Sequence, residues 1–262
     1  METFNNLKGL LKFSILEKFD NVLDFVTTRK NPYGLGDNFN IGYSGGEDSQ
    51  TLENRKILAQ ALNLEEKNFV LQTQIHSDNY KIVGFKDGGS GFLSKETAVK
   101  GTDILITNEK NLCLITRSAD CTPVLLFSPE TESIAAVHSG REGTFKGVAV
   151  KAAKLLHENF NADYSKIIVC IGPSIGFMNY EVDKNCAEKF VEDSRFSAHT
   201  IKQKGEKYFL DLKTMIFEDL INLGLKSENI EKSDICTKKE NQNFFSARCG
   251  NQQRFCAGIM LK

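Results

Sequence analysis

The sequence predicts an α+β fold: a large mixed β-sheet core flanked by about four helices, in a single compact domain over residues 1–262. Three observations carry that expectation. Short apolar, β-branched runs without strict alternation read as strands covered on both faces. Between them lie segments whose apolar residues recur every three to four positions, as on one side of a helix. Three of the apolar runs, at 112–116, 124–127 and 134–137, follow one another through connections too short for a helix, which favours antiparallel hairpins over βαβ units. The chain has 262 residues, 40% hydrophobic and 26% charged, enough to bury a core without disulfides or metal. No repeat, low-complexity tract or proline-rich linker divides it.

In chain order, residues 31–49 turn to Gly, Asn, Asp and Ser, a loop longer than a plain connection needs and therefore a candidate functional one. Ser49 caps a first helix with Leu52, Ile57, Leu58, Ala61 and Leu62 near one face. Strands follow at 69–71, 104–107, 112–116, 124–127 and 134–137. A second helix opens at Thr144 and runs to about Phe160, turning Val148, Ala152, Leu155 and Leu156 inward. After a strand at 167–171, Asp183 opens a third helix with Cys186, Phe190 and Val191 inward. Asp211 opens a fourth, with Leu212, Met215, Ile216 and Leu220 inward and Gly224 as its stop. A last strand spans 257–261.

Lys and Arg number 33 against 34 Asp and Glu, and the basic residues are scattered, so nucleic acid polymer is not an expected partner. Lys8, Lys12, Glu17 and Lys18 interrupt the N-terminal apolar residues, so no signal peptide or membrane span is read there. A cytoplasmic protein without a membrane partner is expected. Seven cysteines lack a CxxC pair, and Cys113 and Cys170 lie in apolar runs, as reduced core thiols do. The glycine-rich runs at 34–46 and 140–147 have neither Walker nor dinucleotide spacing, so no nucleotide cofactor is read.

Two of the four histidines sit at strand ends, where side chains reach out of a sheet into a pocket. His76 closes Gln74-Ile75-His76 after the strand at 69–71, and His138 ends the strand at 134–137. Cys121 stands in the polar turn Ser118-Ala119-Asp120-Cys121-Thr122-Pro123 between two strands. Two imidazoles and one thiolate make a three-ligand zinc site with a position left open, the arrangement of catalytic rather than structural zinc. Spacing alone favours hydrogen-bonded sheet-edge histidines beside a buried thiol.

At these residues the chain resembles the laccase-domain, YfiH-like family, described both as polyphenol oxidases and as zinc-dependent purine nucleoside phosphorylases. Thr27-Thr28-Arg29 is similar to the family's T-T-R, Asn38-Phe39-Asn40-Ile41-Gly42 to its S-x-N-L-G, and Asn54-Arg55 to its N-R. Gln74-Ile75-His76 matches Q-x-H, and Ala119-Asp120-Cys121-Thr122-Pro123 matches A-D-C-x-P. Gly172-Pro173-Ser174-Ile175-Gly176 with Tyr180-Glu181-Val182 matches G-P-x-I-G and Y-E-V, and Phe244-Phe245-Ser246-Ala247-Arg248 matches F-F-S-x-R, followed by Arg254. The resemblance covers nearly the whole length and implies zinc on His76, Cys121 and His138. It also implies phosphorolysis of adenosine, inosine or methylthioadenosine and deamination of adenosine, with purine nucleoside and phosphate as the small-molecule partners. Two departures stand out: the family's H-A-G-W-R-G reads His138-Ser139-Gly140-Arg141-Glu142-Gly143, and the second arginine of its C-terminal pair is Cys249.

Guanidinium groups offer phosphate two parallel donors, so Arg248 and Arg254 are the first candidate phosphate contacts, with Arg29 and Asn40 as further substrate candidates. Gln74 and Asp120 stand beside the ligands, placed to orient them or touch substrate. Glu142, in place of a cation, is expected either to repel phosphate or to shuttle the proton that deamination needs. Two other activities fit the same residues: a cysteine hydrolase of cell-wall peptides, with Cys121 as nucleophile and His138 or His76 as base, and a mononuclear copper oxidase. Four histidines are too few for a multicopper cluster.

Overall fold

In the computed structural model, which describes residues 1–4, 7, 9–45 and 48–262, the expected sheet is divided in two. Residues 46 and 47 of the predicted loop, and Lys8, lie outside the described residues. The strands in chain order are β1 (Glu2–Thr3), β2 (Leu10–Lys12), β3 (Val22–Thr27), β4 (Phe69–Leu71), β5 (Tyr80–Ile82), β6 (Ile104–Thr107), β7 (Cys113–Ser118) and β8 (Thr122–Ser128). They continue with β9 (Ser133–Ser139), β10 (Ile168–Ile171), β11 (Glu181–Val182), β12 (Ile201–Lys204), β13 (Lys207–Leu210), β14 (Ile230–Lys232) and β15 (Phe255–Leu261). The first sheet has the order β1-β2-β3-β15-β7-β4 and the second β14-β10-β8-β9-β6-β5. Both are mixed: antiparallel inside, with parallel pairs at β7–β4, β10–β14 and β6–β5. A small antiparallel sheet, β11-β13-β12, stands apart.

The expected hairpin of β8 and β9 forms, pairing Val124 with Val137 and Phe127 with Ile134. β7 is not part of it. It pairs with β15 and β4 in the other sheet, so the short link from Ser118 to Thr122 carries the chain from one sheet to the other. Apolar runs covered on both faces read alike in either sheet, and nothing local in the sequence marks the crossing.

Alternating side chains explain the double cover. On β8, Leu125 and Phe127 join Leu114, Phe255, Ala257 and Ile259 of the first sheet in the core between the sheets. Val124 and Leu126 point the other way, against helices. Burial of each such Val, Leu or Phe contributes about 1.5–3 kcal/mol relative to exposure.

Helix α1 (Asp48–Leu62) covers the outer face of the first sheet, setting Leu58, Ala59 and Leu62 on Phe69, Leu71 and Ile115. It begins one residue before the predicted cap, Ser49. The single helix predicted from Thr144 is two, α2 (Arg141–Phe145) and α3 (Val148–Phe160), because Gly147 between them takes φ +70, a left-handed conformation that ends one helix and starts the next. α4 (Lys184–Glu192) is capped by Asp183 as expected, its side chain accepting from Cys186 N at 2.8 Å. Cys186 and Phe190 are buried, but Val191, expected inward, is 60% exposed, because one residue beyond Phe190 the helix has turned off its apolar face. α5 (Leu212–Leu223) starts on Asp211, stops at Gly224 and covers the second sheet together with α3. The layers run helix, sheet, sheet, helix. No described helix is long and apolar enough to cross a membrane, and all seven cysteines are unpaired.

Candidate metal centre

The sheet crossing positions the site. β8 starts beside the end of β9, with Thr122 opposite Ser139 and Pro123 opposite His138, so Cys121 is brought next to His138 by strand register. His76 arrives from the loop after β4 with φ +60. The result is that Sγ of Cys121 and a ring nitrogen of each histidine lie within 4.8 Å of one another. Cys121 Sγ is 3.7 Å from His76 Nε2, and the two imidazoles meet edge to face with centroids 4.9 Å apart. Among the described residues this is the one group of three or more His, Cys, Asp or Glu side chains close enough to hold an ion.

Asp103, just before β6, holds two of the three donors in place. One oxygen accepts from His138 Nδ1 at 2.8 Å, which leaves His138 Nε2 to face the other donors. The carboxylate also accepts from the backbone N of Ile75, His76 and Ser77, at 3.3, 3.2 and 2.7 Å, and from Ser77 Oγ at 2.7 Å. Burial raises its carboxyl pKa, but these donors outweigh burial and hold it down at about 2. Burial lowers the pKa of His138 against the pull of Asp103, so its imidazole is neutral, as a ligand must be. Burial and the neighbouring Asp120 push the Cys121 thiol up to about 12.

Gly140 closes the centre. A Cβ there would lie 2.9 Å from both Cys121 Sγ and His76 Cδ2, so the close approach of the donors requires a residue without a side chain. Gly140→Ala is expected to weaken metal binding roughly 5- to 150-fold, the equivalent of an overpacking strain of about 1–3 kcal/mol. Metal content after dialysis against a graded chelator measures it; wild-type retention would show that the donors can spread at no cost.

The remaining predicted residues do not gather in one place. Gln74, His76, His138 and Arg254 line one cavity of about 230 Å³, together with Tyr43, Lys95 and Arg117. Within it Gln74 exchanges two hydrogen bonds with the backbone of Arg117, at 2.8 and 2.9 Å, splicing the loop to β7. Arg254 donates to the carbonyls of Gln252 and Gln253. Asn40 is 1% exposed, accepts from Gly42 N and Arg254 N and donates to Ser44 O, so it knits the predicted functional loop to the cavity rim. Asp120 accepts from Thr237 Oγ1 at 2.6 Å and from Arg248 N at 3.0 Å, clamping the C-terminal segment beside Cys121.

Arg248 and Arg141 line a separate cavity of about 590 Å³ with Glu181 and Lys207. Glu142 is paired with Arg141 at 3.0 Å and is not among the groups lining the cavity of His76 and His138. Arg29 donates to the carbonyls of Asp37 and Asn241 and lies over the Phe245 ring, away from both cavities. Asp103, Gly140 and Arg117 were not legible as site residues. An Asp ahead of a strand, a Gly between a ligand and a helix, and an Arg inside a strand have many ordinary uses, and only their distances to His76, Cys121 and His138 single them out.

A family model described as multi-copper polyphenol oxidoreductase laccase matches residues 25–262. The chain is 30% identical to a purine nucleoside phosphorylase of Bacteroides thetaiotaomicron over 97% of both chains. It is 33% identical to the purine nucleoside phosphorylase YlmD of Bacillus subtilis over 77% of this chain and 73% of that one. The crystal structure of the hypothetical protein YfiH of Bacillus licheniformis superposes with a TM-score of 0.87 at 28% identity, covering 94% of this chain and 95% of that one.

Proposed function

Since the chain belongs to the laccase-like family of that model, and relatives similar over most of its length are named purine nucleoside phosphorylases, we propose that it is a zinc-dependent purine nucleoside phosphorylase that also deaminates adenosine. The observation that carries the reading is the convergence of His76, Cys121 and His138 on one point at the edge of a cavity whose lining, among the described residues, includes cations and no carboxylate. Two imidazoles and a thiolate are a donor set suited to zinc, and three protein donors are the number found in catalytic sites. Bound there, zinc supplies Lewis acidity.

The protein's own groups do the rest. Asp103 keeps the His138 imidazole in one tautomer, and Asn40 holds the rim loop against Arg254, one of the residues lining the cavity that would receive phosphate. In phosphorolysis a phosphate oxygen forms a bond to ribose C1′. The bond from C1′ to purine N9 breaks with its electron pair on nitrogen, which takes a proton, releasing free base and ribose 1-phosphate. In deamination water adds at C6 of adenine and ammonia leaves, giving inosine.

The hydrolase alternative needs Cys121 as a free nucleophile, whereas a thiolate held between His76 and His138 on a metal is a poor one. For a multicopper centre the histidines are in the wrong places. His157 is engaged with Ala162 O and His199 with Glu218, both remote from the cluster.

The test is product analysis with zinc-loaded protein and adenosine, inosine or methylthioadenosine, with and without phosphate. Free base is expected only with phosphate, together with ribose 1-phosphate from adenosine or inosine and methylthioribose 1-phosphate from methylthioadenosine, and inosine with ammonia from adenosine in either case. No base release from any nucleoside by metal-loaded protein would overturn the phosphorylase reading.

A further inference from the structure

Arg117 is a cation in an unusual position. It lies near the end of β7, is 7% exposed, and forms part of the wall of the cavity that holds His76 and His138. Among the described residues no carboxylate pairs with it. Its Nη2 donates to Gln72 O, its guanidinium lies over the Tyr43 ring at 4.1 Å, and its buried Nε has no partner. The nearby charges are of its own sign, Arg55 and Arg254, and burial among them lowers its pKa to about 10. A guanidinium taken out of water without a counter-ion is costly, and such groups are retained where an anion completes them.

The surroundings select the kind of anion. The cavity wall also carries Lys95 and Arg254, and among the described residues no Asp or Glu lines it. Gln74, bonded to the backbone of Arg117, ties this strand position directly to the loop of His76. From this we infer that Arg117 is the buried anion receptor of the site and that its ligand is inorganic phosphate, held in the cavity against the metal-ligating histidines. The assignment rests on the phosphorylase reading for the identity of the anion. It also explains how Glu142 can be accommodated at a position where the resembled family carries a cation: the charge is supplied from the cavity wall by β7, while Glu142 is neutralised by Arg141 outside that cavity.

Arg117→Met keeps an unbranched apolar stem and removes the guanidinium with its charge; Arg117→Lys keeps a charge but not the planar fork. With zinc-loaded protein, the KM for phosphate is expected to rise about 10- to 100-fold in Arg117→Met, as loss of a charge-assisted hydrogen bond gives, and less in Arg117→Lys, while the KM for nucleoside does not follow. Calorimetric titration with inorganic phosphate alone should show the same loss of affinity. Because an arginine without a counter-ion opposes folding, the melting temperature of Arg117→Met in phosphate-free buffer is expected to equal or exceed that of the wild type. Phosphate should raise the wild-type melting temperature more than that of either variant.

An unchanged phosphate KM and dissociation constant in folded, metal-loaded Arg117→Met would overturn the assignment, and if that variant does not fold, wild-type phosphate affinity in Arg117→Lys would do so. A wild-type protein that binds phosphate through Arg117 yet releases no base would leave the receptor standing and overturn the phosphorylase reading instead. Nucleoside phosphorolysis indifferent to Arg117 does the reverse.

Discussion

Cys121→Ser and His138→Ala proteins are each expected to lose most of their bound metal and more than about 100-fold in kcat/KM for phosphorolysis, exceeding the 10- to 100-fold typical when only the hydrogen-bond partner behind a ligand is removed. The donor set has three members within 4.8 Å and, among the described residues, no fourth group in the cluster, so deleting one leaves two, too few to hold the ion against water. The fold should survive. Cys121 sits in the link between sheets rather than in a core, and the cores between the sheets and under the helices are built from other residues. Metal analysis of the purified variants, with circular dichroism as the control for folding, measures the effect. Full metal retention in both would remove the site.

The second large effect is expected from Asp103→Asn, which keeps the shape of the side chain and one acceptor oxygen but replaces the other with a donor. The amide then faces either His138 Nδ1 and His76 N, which share one oxygen, or Ile75 N, Ser77 N and Ser77 Oγ, which share the other, and one set of bonds must fail. Metal affinity is expected to fall 10- to 100-fold, because both histidines lose their fixed orientation. Stability should fall as well, with a sign that the depressed pKa determines. A carboxylate at about 2 in the folded protein against about 3.9 unfolded contributes roughly 3 kcal/mol, present above about pH 5 and lost as pH falls through about 2. Urea unfolding of the metal-free proteins should therefore separate wild type from Asp103→Asn at pH 7 and bring them together at about pH 2. Wild-type metal affinity in the variant would show that Asp103 serves the loop alone.

What the sequence determined by itself was whatever depends on neighbours in the chain. Asp183 and Asp211 announce α4 and α5 because capping is satisfied within three residues, and Gly224 stops α5 for the same local reason. The apolar runs mark the strands because a strand covered on both faces has no polar side to show. The three donor residues stood out by their chemistry and their places at strand ends, only the family resemblance read them as metal ligands, and the structure brings them together. Only the tertiary structure decided which sheet each strand joins, since β7 and β8 have the same apolar character and their separation lies in a link of three residues whose path depends on the packing of both layers. The break at Gly147 is likewise invisible to helical periodicity, because the apolar spacing continues across it. The same holds for the groups that surround the donors. Asp103, Gly140 and Arg117 act through distances between elements far apart in the chain, whereas Glu142, conspicuous in the sequence, is turned to Arg141 and lies outside the cavity wall. Local preference selects helices, strands and donor types because those energies are settled within a few residues. The partner that each buried charge finds is settled by the packing of whole sheets.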